Sequence, residues 1–259
     1  LHNEVEALNN ALKEDAPQIS SPPNVHITLM RGVQTPLSGE WHDQCVVREL
    51  TGEDEEWLAA NDIKKGLSYS EYMSALLKRS VVSIGSIKVA DTPDVIDELL
   101  IGDRDILFLA TIKATYGRFR DLQAVCGSCN ETNDVRIDLD DDFKVEKSDN
   151  DLRKPLEVVL RDGKTYKVRY VTGGDSQQVT KKTKTTAEQN TLMLSRCVLV
   201  DVEDKESWAR SLNLADRNKL VKALLDNQPG PRMEEVNTQC AHCGEDMSLA
   251  LDWVSLLFG

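Results

Sequence analysis

Six cysteines punctuate the 259-residue chain, and four of them, Cys126, Cys129, Cys240 and Cys243, form two C-x-x-C pairs. Two thiolates two residues apart on a tight turn can reach one metal ion, with the backbone N–H groups of the turn aimed at the sulfurs. Small residues lie beside them: Gly127 and Ser128 in the first pair, Ala241 and Gly244 in the second. Each pair supplies half of a tetrahedral shell. The reading is therefore a single structural Zn²⁺ site built from all four cysteines, on a pseudo-twofold axis that clamps two parts of the chain. Competing readings are two disulfides, a thioredoxin-like redox pair, or cysteines that bind nothing. A redox pair wants a helix N-terminus after its first cysteine, whereas polar turn residues and a strand follow here. His242, between two ligands, is an alternative ligand or a surface residue. Four thiolates close the shell and leave no position for a reacting water, so the site argues for stability and not catalysis. Cys45 and Cys197 lie in apolar, β-like surroundings and read as buried free thiols.

The elements that must deliver these turns recur. Arg48 to Glu55 is answered by Arg169 to Ser176, Ala75 to Val82 by Leu192 to Leu199, Ile101 to Arg104 by Leu214 to Arg217, and Tyr116-Gly117 by Pro229-Gly230. The two cysteine turns complete the series. All five correspondences keep their order while the offset drifts slowly, as small insertions in a duplicated unit would produce. The fold class is α+β: two copies of a small α/β module joined by a shared, zinc-ribbon-like site. The boundaries are a helical arm and linker over 1–24, a first module over 25–145, an acidic linker over 146–154 and a second module over 155–259.

Each module opens with a strand pair, His26 to Met30 with Cys45 to Leu50, then Leu156 to Leu160 with Tyr166 to Val171. Thr51 and Thr172 read as N-caps. Helices are expected over Glu71 to Arg79 and Ala187 to Arg196, each running into a β-branched stretch. Further helices begin near Asp103 and Asp216 and stop at Gly117 and at Pro229-Gly230. The Asp-Arg doublets at those starts read as a cap plus an internal ion pair.

With 31 Lys and Arg against 44 Asp and Glu, the net charge of −13 argues against a general nucleic-acid binder. The acids from Asp138 to Asp151 lack the glycine of a calcium loop and read as a solvated connector. The cations Arg161, Lys164, Lys167, Arg169, Lys181, Lys182 and Lys184 form a locally basic segment, either solvated or a contact for an acidic partner, another copy of this protein included. No apolar run reaches the roughly 18 residues of a membrane helix, and no signal segment is evident. The chain begins with Leu1, so an initiator or a longer N-terminal piece is expected before it. No Gly-rich phosphate loop, G-x-S-x-G or H-E-x-x-H is present, and the four histidines do not cluster.

Leu50-Thr51-Gly52-Glu53-Asp54-Glu55, Leu100-Ile101-Gly102-Asp103-Arg104-Asp105, Ala114-Thr115-Tyr116-Gly117 and Cys126-x-x-Cys129 resemble the baseplate hub proteins of T-even-type tailed phages. The second cysteine pair near a C-terminal Leu-Phe suits the same family. The resemblance implies a non-enzymatic virion tail component or assembly factor, present in the host cytoplasm during assembly, whose partners are other tail and baseplate proteins. It transfers no catalytic residue. The rival function from the residues alone is a zinc-ribbon nucleic-acid-binding or transcription adaptor, supported by the basic segment.

Overall fold

Alternating apolar residues make the first sheet. Strands β1 (Val25–Gln34), β2 (Trp41–Val47), β3 (Val81–Ile84) and β4 (Ile87–Lys88) pair antiparallel in that order. The computed structural model describes residues 25–35, 38–61, 68–233, 236–249 and 256–257, so the expected arm over 1–24 lies outside the described residues. The β1–β2 register slips between Thr28 and Val33. Gly32 sits in the slip at φ +73°, where a Cβ would strike the His42 carbonyl.

Helices α1 (Gly52–Ala60) and α2 (Tyr69–Ser80) lie between β2 and β3, followed by the short α3 (Val95–Glu98) and by α4 (Ile101–Tyr116). Gly117, at φ +87°, ends α4 as its spacing indicates. Hairpin β5 (Phe119–Val125) and β6 (Thr132–Asp138) carries the first cysteine turn, and β7 (Phe143–Glu146) follows. The second half runs through hairpin β8 (Leu156–Val159) and β9 (Thr165–Val168), then α5 (Gly173–Lys182), α6 (Thr186–Cys197), α7 (Lys205–Ser211) and α8 (Leu214–Asp226). Strands β10 (Gly230–Met233), β11 (Val236–Gln239) and β12 (Asp246–Leu249) close it. The β-branched stretch after α6 makes only a bridge, Val168 to Val198.

Two apolar cores form. The first gathers Val47, Leu77, Ile84, Ile96, Leu107 and Ile137, and it also takes in Cys240, Met247, Leu256 and Leu257 from the far end of the chain. The second is built from Val158, Val168, Leu194, Val198, Leu220 and Leu224. The C-terminal segment thus packs against the first half.

Three expectations change. Helix α8 ends at Asp226, before Pro229-Gly230. Gly230 instead opens β10 at φ +140° and lies so close to Gly102 that neither position has space for a Cβ. The acidic connector is anchored, not merely solvated: Arg118 holds Asp138 and Asp141, Lys113 holds Asp140, and β7 pairs with β10. The Asp-Arg doublets are not internal ion pairs. Asp103 accepts the backbone N–H groups of Met30 (2.7 Å), Gly32 (3.0 Å) and Arg31 (3.3 Å), which the slipped register leaves without strand partners. Asp216 accepts from the Arg161 N–H at 3.1 Å and from Asn213. Arg104 reaches the Ser70 carbonyl and Ser74 Oγ, while Arg217 reaches the Ala187 carbonyl and Thr191 Oγ1. In a doublet at a helix start the two side chains leave the axis in different directions, and each finds a separate element.

Candidate metal centre

Two hairpins present the cysteine turns in matching conformations. In the first, the Cys126 N–H donates to the Glu131 carbonyl and the Asn130 N–H to the Cys126 carbonyl, both at 2.9 Å. In the second, the Cys240 N–H donates to the Glu245 carbonyl and the Gly244 N–H to the Cys240 carbonyl, again at 2.9 Å. The residue after the second cysteine must adopt a left-handed backbone: Asn130 at φ 60° and Gly244 at φ 75°. Glycine and asparagine are the residues that tolerate this conformation.

The turns meet crosswise. Cys126 Sγ lies 3.7 Å from Cys243 Sγ, Cys129 Sγ lies 3.6 Å from Cys240 Sγ, and the four sulfurs fall within 4.8 Å of one another. A tetrahedron of sulfurs about 2.3 Å from a central zinc has edges of about 3.8 Å. The spacing is far beyond a bonded S–S distance of about 2.05 Å, and all six cysteines are free. The donor set fits one tetrahedral metal held by four thiolates, the preference of zinc or of iron in sulfur coordination.

The turns also bias protonation. Backbone N–H groups of Cys129 and Ser128 pull the Cys126 thiol below its ordinary value. Those of Cys243 and His242, with the Asn133 amide, bring Cys240 down to about 6 against the opposing effect of burial. Cys129 and Cys243 move up: each receives an N–H, from Glu131 and Glu245, but burial and the adjacent sulfurs outweigh it. The first cysteine of each turn is thus biased toward the thiolate relative to the second, and a cation would draw off the remaining protons. His242 is exposed.

Asn133 joins the two turns. Its side chain donates to Cys240 Sγ at 3.4 Å and to the Glu131 carbonyl at 3.1 Å, and its Oδ1 accepts the Ala241 N–H at 2.8 Å. Sequence reasoning missed it. An asparagine on the exit strand carries no spacing signal, and its partner lies in the other half. Cys45 and Cys197 are buried free thiols as read, and burial pushes both up to about 12.

The basic segment divides. Arg169 forms a two-pronged pair with the buried Asp175 at 2.6 and 2.9 Å. Arg161 lies 3.8 Å from Asp216. Lys164, Lys167, Lys181, Lys182 and Lys184 are exposed. Among the described residues no helix is long and apolar enough to cross a membrane.

A protein-family model described as "T4 bacteriophage base plate protein" matches residues 40–259. No curated protein and no solved structure matches the chain.

Proposed function

The chain belongs to the T4 bacteriophage base plate protein family, and from that premise we propose that it is a non-enzymatic structural or assembly protein of the tail baseplate hub, built from two related modules joined by structural zinc. The family match carries the baseplate assignment. The convergence of four thiols from two distant hairpins supports the metal. Bound zinc would cross-link the hairpins through Cys126, Cys129, Cys240 and Cys243 and, with its shell closed, would supply no Lewis acid. Asn133 would orient Cys240 and tie its turn to the other hairpin, as second-shell groups do at metal sites.

The paired networks support the two-module reading. Asp54 accepts from Arg48 at 2.6 and 3.0 Å, from Arg79 Nε at 2.7 Å, and from the Thr51 N–H and hydroxyl. Asp175 accepts the same set from Arg169, Arg196 and Thr172, at 2.6, 2.9 and 2.7 Å for the arginines. The exposed cations Arg161, Lys164, Lys167, Lys181, Lys182 and Lys184 are the proposed contacts with acidic neighbours.

Protein inventory of purified virions, together with co-purification against tail proteins, tests the role. Presence among tail components or in a hub assembly intermediate supports it, and absence from both removes it. Metal analysis of protein purified without chelator should find one zinc per chain.

A further inference from the structure

Among the described residues, the two halves differ in how their first helices are seated. The start of α5 seats on the first half: the Gly173 N–H donates to the Leu99 carbonyl at 2.9 Å, and Thr172 bridges to Leu100. Gln177 donates to Ser74 Oγ at 2.5 Å and Asp97 Oδ1 at 2.6 Å. Gly173 packs on Arg104 so tightly that a Cβ would lie 1.9 Å from its Nη1. Ile101, at the edge of this seat, packs on the second core.

The second half carries the same kind of seat with no segment described in it. A cleft of about 510 Å³ is lined by Ala187, Thr191, Arg210, Leu212, Leu214 and Arg217, the counterparts of Ser70, Ser74, Asp97, Leu99, Ile101 and Arg104. Arg217 already holds the Ala187 carbonyl and Thr191 Oγ1 as Arg104 holds Ser70 and Ser74. Leu214, where Ile101 is covered, is 75% exposed. The helix start that matches Thr172-Gly173 is Thr51-Gly52, and among the described residues it too is uncovered. A Cβ on Gly52 meets nothing within 4 Å among the described residues, and Glu53, Glu55 and Glu56 are exposed. Gly52 has no positive φ to require glycine.

The polar partners have changed in step. Gln177 stands five residues after its cap, as Glu56 does after Thr51. Asp97 stands two residues before Leu99, as Arg210 does before Leu212. An amide on a carboxylate within the chain is thereby matched by a carboxylate facing a guanidinium. Among the described residues Arg210 is held only by an exposed pair with Glu206, which costs little to release.

We propose that the Thr51–Glu56 helix start of one copy docks in the cleft between α6, α7 and α8 of a second copy, repeating between chains the contact that α5 makes within one. The inference rests on the two-module reading above. Lys182, Arg210 and Arg217 line the cleft together with Glu188 and Glu206, so a locally cationic cleft of net charge +1 faces the acidic start of α1, and charge favours this register although the whole chain is acidic. Among the described residues each copy keeps one unused helix start and one unused cleft. The assembly is therefore head-to-tail, growing as a filament or closing as a ring.

Sedimentation of the full chain over a wide concentration range tests it, with species beyond the dimer expected. Gly52→Leu and Arg210→Glu should each weaken association by about tenfold or more, while circular dichroism of the monomer stays unchanged. The swap Glu56→Arg with Arg210→Glu should restore association, which misfolding could not do. A monomer at every concentration, association indifferent to Gly52→Leu, or cross-links from Lys182 to residues 1–24 of its own chain would overturn the docking. An experimental structure separates the two failures. Halves that superpose in a chain that stays monomeric defeat the docking alone, whereas halves that do not superpose defeat the two-module reading as well.

Discussion

The helix starts at Thr51 and Thr172 hold the same ion network in unlike surroundings. Asp54 and Asp175 are each buried beneath two arginines and one capping threonine. Yet among the described residues nothing lies against Gly52, while Gly173 is pressed against Arg104. The difference separates two roles that one motif can carry. The carboxylate organises its own half, and the glycine beside it permits close approach by another. Among the described residues the first role is used twice and the second once.

The largest effect expected bears on the two cysteine turns. If they share one metal, Cys126→Ala and Cys240→Ala must damage the protein alike, each removing the metal and lowering the thermal midpoint by ten degrees or more, on the order of several kcal/mol. Independent sites would leave metal bound in each variant, which metal analysis reads directly.

Next come the carboxylates. Asp54→Ala and Asp175→Ala each strand two arginines and should cost about 3–5 kcal/mol in denaturant unfolding. Similar losses would mark the networks as equivalent, and a loss at one position alone would show that only that half depends on its network.

Acid should expose the same pair more gently. Burial alone would push Asp175 up, but the Arg169 hydrogen bonds and charge, the Thr172 N–H and Arg196 outweigh it and hold the carboxyl down at about 2. For Asp54, Arg48, Thr51 and Arg79 likewise overcome burial and hold it well below the usual range. A carboxylate depressed in the folded state stabilises above its unfolded value of about 3.9 and loses that contribution as pH falls through the folded value. For Asp175 this amounts to about 2–3 kcal/mol, lost between about pH 4 and pH 2. Asp175→Asn should flatten the pH dependence of stability in that window. Asp103 departs from this pattern, because burial there outweighs the N–H groups of Gly32, Met30 and Arg31 and the carboxyl moves up.

The smallest effect sharpens the contrast most. Gly173→Ala places a methyl into Arg104 and should cost about 1–3 kcal/mol. Gly52→Ala meets nothing among the described residues and should change stability by less than about 0.5 kcal/mol. Equal costs would mean that Gly52 is also covered within one chain.

Local spacing made much of this architecture legible in the sequence. Thr51 and Thr172 are read as caps because a cap acts over three residues, and the turns of Cys126 and Cys240 follow from their own pairs. The correspondence of Arg48 with Arg169 and of Arg79 with Arg196 is also visible in the chain. Its cause is not, because Asp54 gathers arginines from two elements separated by a helix. The pairing of β7 with β10, the role of Asn133 and the separate partners of Asp103 and Arg104 were illegible for the same reason. Residue types and spacings determined which groups could hold a metal, cap a helix or end one, since those acts depend on atoms a few bonds apart. Tertiary structure alone decided which carboxylate took which arginine, which hairpin met which, and which of two similar helix starts was covered. Those outcomes depend on distances between elements far apart in the chain, which only packing fixes.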